Sequence, residues 1–293
     1  MLHIKKLKKI GIVGPGLIGG SVALALKTAN VPAKIIGIGH RQISIDRAIE
    51  FGAIDEGSLS LEDLHDCQLV IIATPISLIK STIDSLVDIL ARGAIVTDVG
   101  STKRQICKWA SKLFSRKIEF VGSHPVAGSE KRGIEFARHD LFVNANCFVT
   151  PVKMNSASAI DLISQLWRTV GMNVVVTSPA EHDKLLGLVS HLPHVVAAGL
   201  VNTCTQKQLE FTGTGFMDTT RIASGDVKLW TDIIMSNPDY IVKAIQNFSS
   251  ELDEIANAIR NEDDKKLAKL LSSAKSKRDK LVAFKYQHRQ IEA

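Results

Sequence analysis

Short β-branched runs alternate with stretches of helical period along the first 178 residues. The runs are KIGIV (9–13), KIIGI (34–38), QLVIIATP (68–75), AIVTDV (94–99), IEFVGS (118–123), CFVTP (147–151) and NVVVT (173–177). Between them, segments such as LIKSTIDSLVDIL and ASAIDLISQLWRTVG place apolar residues three and four apart, as on one face of a helix. Strands separated by helices of this length predict crossover units, hence an α/β fold with a doubly wound, mostly parallel sheet over residues 1–178.

Near residue 178 the pattern changes. SPAEHDKLLGLVSHLPHVVAAGLVNTC is apolar on nearly every face, which predicts a helix buried all round. Ile241, Ile245, Phe248, Leu252, Ile255 and Ile259 then keep a four-three spacing, and Leu267, Leu270, Leu271, Ala274 and Leu281 make a second stripe. Residues 179–293 therefore read as an all-helical domain. So much buried helix in so short a segment predicts a homodimer whose subunits share a core.

Composition narrows the class. A length of 293 residues, with 45% hydrophobic and 23% charged side chains, suits a globular protein with well-buried cores. The apolar run 185–201 is broken by His191, Pro193 and His194, so no membrane span is expected. The N-terminal MLHIKKLKKIGIV leads into a glycine turn rather than a cleavage site, and a cytoplasmic protein is expected. Cys67, Cys107, Cys147 and Cys204 lie far apart, as reduced structural thiols do. The net charge of +6 is spread among acidic residues, and the aromatic fraction of 5% offers few stacking platforms, so no nucleic-acid partner is expected. A small anionic substrate fits the same balance.

The first specific chemistry lies in GIVGPGLIGGS. Gly14, Gly16 and Gly19 follow the first strand and open a helix, the context in which this spacing binds a dinucleotide. Gly14 permits the turn, Gly16 lets a pyrophosphate approach the backbone, and Gly19 lets helix and strand pack closely. Leu17 and Ile18 sit at the helix N-terminus, whose free N–H groups face the phosphates. A carboxylate at the end of the second strand would hold the ribose hydroxyls of NAD. Here KIIGIGHRQ supplies Gly39, His40 and Arg41 instead, so NADP is the preferred cofactor and NAD the other.

Ligands of an open α/β sheet lie beyond the carboxyl ends of its strands. ATPIS places Thr74 and Pro75 there, DVGSTK places Ser101, and GSHPVAGSEKRG places His124. A hydroxyl at one tip can orient an imidazole at the next, so Ser101 and His124 are the catalytic candidates. Past residue 178, His182 and Asp183 open the apolar helix, and His191 and His194 share a face three residues apart. Pro193 removes a backbone donor and should kink that helix. GFMDTTRIASGDVKLW brings Arg221, which can clamp a carboxylate with two parallel hydrogen bonds. His182, His191 and His194 lack the HExxH logic of zinc sites, and no metal is expected.

GPGLIGGS, TPI, DVGSTK, SHPVAGSEKRG, HDKLLGLVSHLPH and GFMDTTRIASGDVKLW, in this order, resemble the prephenate/arogenate dehydrogenase family of tyrosine biosynthesis over essentially the whole chain. The resemblance implies a Rossmann domain followed by a helical dimerisation domain, and oxidative decarboxylation of prephenate or arogenate with NAD(P)+ and no metal. It implies that His124 accepts the proton of the ring hydroxyl, with Ser101 placing it beside the nicotinamide. It implies that Arg221 holds a substrate carboxylate, with His191 and His194 lining the pocket. Glu130 and Trp230 would stand at its edge, Trp230 reaching in from the partner subunit. The loop from Gly128 to Arg132 would close over an anion, although Lys131 and Arg132 read equally well as surface charges. Two departures stand out: Gly39-His40-Arg41 where family members commonly end the strand in an acid, and Met217 before Asp218 where many carry a polar side chain. The rival readings are a β-hydroxyacid or imine reductase, for which Lys184 would be the lysine required, and a nucleotide sensor without turnover.

Overall fold

The computed structural model describes residues 3–128, 131 and 133–291. Its strands are β1 (Lys9–Val13), β2 (Lys34–Ile38), β3 (Glu56–Ser58), β4 (Leu69–Ile72), β5 (Ile95–Asp98), β6 (Glu119–Phe120), β7 (Gly122–Pro125), β8 (Asn146–Thr150) and β9 (Asn173–Val176). The first six form one sheet in the order β3-β2-β1-β4-β5-β6, every pair parallel. That order reverses direction at β1, the topological switch point where nucleotides bind. β3 was not expected, because EGS carries no apolar pattern; it pairs at the sheet edge with β2.

Helices α1 (Leu17–Thr28), α2 (Gln42–Glu50), α3 (Ile76–Ile89), α4 (Arg104–Ala110) and α5 (Ala157–Thr169) fill the connections. Alternation along the strands separates two cores. Ile10, Ile12, Ile35, Leu69 and Ile71 face one that includes Trp167, while Val13, Ile36, Val70 and Ile72 face one that includes Ile79 and Ile83.

The run 118–123, expected as one strand, divides. β6 ends the parallel sheet, and β7 turns into a second sheet, β7-β8-β9, in which it lies antiparallel to β8 with His124 opposite Phe148. The second sheet is held to the first by polar groups: Thr97 Oγ1 donates to the Val121 carbonyl at 2.7 Å and lies 2.7 Å from Ser123 Oγ. His124 is thus the penultimate residue of a short strand beyond β5 and β6.

The remaining helices are α6 (Pro179–Leu186), α7 (Leu192–Asn202), α8 (Gln206–Leu209), α9 (Thr214–Thr220), α10 (Val227–Ser236), α11 (Pro238–Arg260) and α12 (Asp264–Ile291). Residues up to Ile241 form one compact unit and those from Val242 a second. Helices α6 to α10 therefore pack in the same unit as the sheets, and the change of pattern at 178 is no break in packing. Within the second unit, Glu262 takes a positive φ of 51° in the turn between α11 and α12, while Ile259, Leu271 and Leu281 are exposed.

A π-helical turn, Gly187–His191, joins α6 to α7. Leu192 N–H reaches back five residues to the Gly187 carbonyl. This wide turn absorbs the donor missing at Pro193, so the helix swells where a kink was expected. The expectation of burial all round is corrected. From Pro179 to Asn202 the helix is long and apolar enough to cross a membrane by length and composition, but only 33% of that window is buried within the chain. Leu185, Leu188 and Val189 remain about half exposed.

Candidate active site

β1, β4 and β5 run parallel side by side, so their carboxyl ends share one edge. At β1 the chain turns through Gly14 with φ +91°, and a Cβ there would meet the Ala73 carbonyl oxygen at 2.8 Å. A Cβ on Gly19 would meet the Gly14 oxygen at 2.3 Å. Those two glycines are required by the protein itself. Gly16 is different: nothing lies within 4 Å of where its Cβ would stand, so its bareness serves open space in front of it. Gly16 also caps α1 without a side-chain bond, and no acid follows in the first turn, which leaves the amides around Leu17 and Ile18 facing that space. Thr74 Oγ1, beside Gly14, is buried without a hydrogen-bond partner among the described residues. Pro75 caps α3. This cradle fits a dinucleotide pyrophosphate. His40 and Arg41 are exposed just past β2, with Arg41 at the N-cap of α2 and no carboxylate between.

At the β5 end three side chains join in a buried row. His124 Nδ1 lies 2.9 Å from His182 Nε2, and His182 Nδ1 lies 2.7 Å from Asp183 Oδ1. Asp183 is fully buried and also accepts the backbone N–H groups of Lys103 at 2.7 Å and Arg104 at 2.8 Å. Three donors converge on two carboxylate oxygens, so His182 donates through Nδ1 and accepts through Nε2. His124 must then donate through Nδ1, and its Nε2 keeps the lone pair, without a partner among the described residues. Burial, then His182, Lys103 and His191, hold the His124 imidazole well below 6.5.

The expected contact between Ser101 and His124 is absent: Ser101 makes no hydrogen bond to the imidazole, whose Nδ1 is taken by His182. His182 and Asp183, noted in the sequence only as the start of a helix, are what position it. A His-Asp pair opening an apolar helix was the signal. Asp98 inside the apolar run AIVTDV was a second: it forms a fully buried ion pair with Lys103.

His191 and His194 do share a neighbour. Trp230 stacks on His194 at 3.6 Å between ring centroids and 11° between planes, and meets His191 edge-on at 6.4 Å. Trp230 is thus engaged with two imidazoles of its own chain. A Cβ on Gly225 would stand 2.6 Å from Trp230 Nε1 and 3.0 Å from His194 Cε1, so glycine makes room for the stack. Asn237 Nδ2 donates to the Asp183 carbonyl at 2.8 Å and lies 3.3 Å from His191 Nδ1. Arg221, at the end of α9, is exposed and has no ion pair among the described residues. Glu130 and Arg132 lie outside the described residues; Lys131 Nζ sits 4.9 Å from the Phe136 ring centre.

His124, His182, His191 and His194 are all held below 6.5, burial being the first cause in each. Below pH 6.5 the unfolded chain takes up protons that the folded chain refuses, so stability falls as pH drops. His191, pushed down to about 4, contributes about 3 kcal/mol of that loss between pH 6.5 and 4. Urea midpoints at pH 7, 6 and 5 are expected to fall in that order; a flat series would contradict the buried, neutral imidazoles.

A glycine turn open to a pyrophosphate at β1, and an oriented imidazole on β7, suit a nicotinamide-dependent dehydrogenase. Two family models match the chain: prephenate dehydrogenase, nucleotide-binding domain, over residues 22–176, and prephenate dehydrogenase, dimerization domain, over residues 178–273. The chain belongs to the prephenate dehydrogenase family. It is 34% identical to the prephenate dehydrogenase of Bacillus subtilis (strain 168), covering 92% of this chain and 75% of that protein. The crystal structure of prephenate dehydrogenase from A. aeolicus in complex with hydroxyphenyl propionate and NAD+ superimposes with a TM-score of 0.89 at 34% identity, covering 94% of this chain and 99% of that one. Synechocystis arogenate dehydrogenase gives a TM-score of 0.84 at 33% identity, covering 93% and 99%.

Proposed function

We infer that this protein oxidatively decarboxylates prephenate to 4-hydroxyphenylpyruvate, and the observation that carries the inference is the His124–His182–Asp183 row. Bound NAD(P)+ supplies the acceptor for the hydride of ring C4. His124 takes the proton of the 4-hydroxyl on Nε2, the nitrogen that the row leaves with a lone pair. The charge then placed on the imidazole is shared with His182 and met by Asp183. As the carboxylate leaves as CO2, the electron pair of the broken C–C bond makes the ring aromatic, and the phenolate so formed takes its proton back from His124, which restores the base. Ser101, past β5, is assigned to the cofactor rather than to the imidazole in this reading. His191, His194 and Trp230 form the pocket wall, and Arg221 holds a carboxylate of the substrate.

Arg221→Ala is expected to raise KM for the substrate roughly tenfold or more while kcat changes little, because a carboxylate clamp acts in the ground state and transition state alike. A fall in kcat at unchanged KM would remove Arg221 from this role.

NADP+ is the preferred cofactor in this reading. Gly39, His40 and Arg41 put no carboxylate against a 2′-phosphate, and two exposed side chains can face it. The functional division falls at 178/179, with cofactor held by the sheet and substrate by the helices that follow. The half-exposed Leu185, Leu188 and Val189 are the surface a homodimer would cover, as the description of the second family model also suggests. The protein is placed in the cytoplasm with its substrate.

Steady-state kinetics with prephenate and with arogenate, each against NAD+ and NADP+, test all of this together. The expected result is highest kcat/KM with prephenate and NADP+. Turnover of arogenate alone would move the assignment to the activity named for the Synechocystis relative. A much higher kcat/KM with NAD+ would overturn the cofactor preference.

A further inference from the structure

Lys103 is wholly buried, and the reaction proposed above makes no use of its ammonium. Its Nζ donates to the Asp98 carboxylate and, at 2.6 Å, to the carbonyl of Ser123, the residue before His124. Its own backbone N–H donates at 2.7 Å to Asp183, the far end of the imidazole row. Asp98 completes the grip by accepting Ser123 N–H at 3.2 Å and Gly100 N–H at 2.8 Å, while Ser123 Oγ donates to the Asp98 carbonyl at 2.6 Å. Gly122, beside the lysine stem, is kept bare by its other neighbours, since a Cβ there would stand 2.6 Å from Thr150 Oγ1 and 3.0 Å from Cys107 Sγ.

We propose that Lys103 is a positioning residue for His124: through its ammonium it fixes the strand that carries the imidazole, and through its amide it fixes the carboxylate that orients it. The proposal rests on the reading of His124 as proton acceptor. A buried ion pair is a poor source of net stability compared with apolar side chains of like volume. What this pair supplies is geometry, because both ends of a three-residue row are tied to one residue. It also supplies charge. Among the described residues, the titratable groups around His124 are His182 from α6, His191 from the π turn, Cys147 from β8 and Lys103 ahead of α4, with Asp98 and Asp183 facing His182; Lys103 is the one ammonium in that set. Its charge favours the unprotonated, accepting form of His124.

The test uses the full-length protein and two variants. Lys103→Met alone strands the Asp98 carboxylate and is expected to be poorly folded. The charge-neutral double variant Asp98→Asn/Lys103→Met removes the pair as a unit and is expected to fold. The His124 Cε1–H resonance, assigned with His124→Asn, is titrated by NMR without substrate, and kcat and KM are measured. In the double variant His124 is expected to titrate at higher pH than in the wild type. Its kcat is expected to fall on the order of 10²-fold, the loss that a misplacement of about 1 Å brings, with KM for the dinucleotide little changed. A double variant that cannot fold assigns the pair to the scaffold and overturns the proposal, as does either readout staying at its wild-type value. If the wild type turns over neither prephenate nor arogenate, the functional reading fails by itself, and the titration still decides Lys103.

Discussion

Replacing His124 by asparagine is expected to lower kcat by roughly 10²–10⁴, the contribution of a positioned general base. Asparagine keeps a donor near the Nδ1 position, so the bond to His182 can survive, but it presents no lone pair with the basicity of Nε2. The side chain is buried, packs edge-on against His182 at 5.1 Å between ring centroids, and is similar enough in volume that a large cavity is not created. Cofactor affinity should hold, because the glycine turn at β1 makes no use of the imidazole. The loss belongs in kcat, with KM for the substrate moving by a few-fold at most. The wild-type acid limb of kcat/KM should lie below pH 6.5, in line with the downward push of burial and of the neighbouring His182, Lys103 and His191 on this group. In His124→Asn that limb should vanish along with the rate. Near-normal turnover by a folded His124→Asn would end the proposed mechanism.

The parts of the fold governed by pattern were legible in the sequence. The strands that became β1, β2, β4 and β5 have continuous apolar runs because both faces are covered, and the helices between them have one apolar face. The glycine turn was legible because Gly14 and Gly19 answer local constraints and Gly16 leaves the space in front of it open. Three features were not. β3 is a three-residue edge strand made by pairing with β2 alone, and EGS has no apolar signature to announce it. The break between β6 and β7 depends on a change of partner, from β5 to β8, which no local pattern encodes. The orientation of His124 depends on residues 58 and 59 positions away, His182 and Asp183, brought in by a helix that crosses to the sheet. Neighbouring strand tips suggested Ser101 because it is adjacent along the sheet edge. Tertiary packing supplied a better partner. Buried charge was the clue left unread: Asp98 in a core strand requires a cation nearby, and Lys103 is five residues on.

Asp183→Asn, at the other end of the row, is expected to cost nearly as much as loss of the base, roughly 10²–10⁴ in kcat, although Asp183 lies two residues away from the proton it governs. Asp183 is fully buried and receives three donors: Lys103 N–H, Arg104 N–H and His182 Nδ1–H. An amide offers one oxygen and one NH2: an NH2 in the place of Oδ1 meets both His182 Nδ1–H and Lys103 N–H, and one in the place of Oδ2 meets Arg104 N–H. If the NH2 faces His182, the imidazole is driven to carry its proton on Nε2. That proton then points at His124 Nδ1, which becomes the acceptor, and the His124 proton moves to Nε2. The base is thereby capped at the nitrogen that needs the lone pair, with every heavy atom still in place. If the NH2 instead faces Arg104, the tautomers survive, but a backbone donor at the start of α4 is left buried and opposed, at a cost of about 1–3 kcal/mol in stability. Which of these alternatives the variant takes is readable: 15N shifts of His124 report its tautomer, thermal unfolding reports the strain at α4, and kcat reports the chemistry. The row predicts that kcat falls together with the tautomer change, while the KM for NAD(P)+ stays near that of the wild type. A folded Asp183→Asn with His124 still protonated on Nδ1 and kcat within about threefold of the wild type would show that the row holds the fold and leaves the reaction alone.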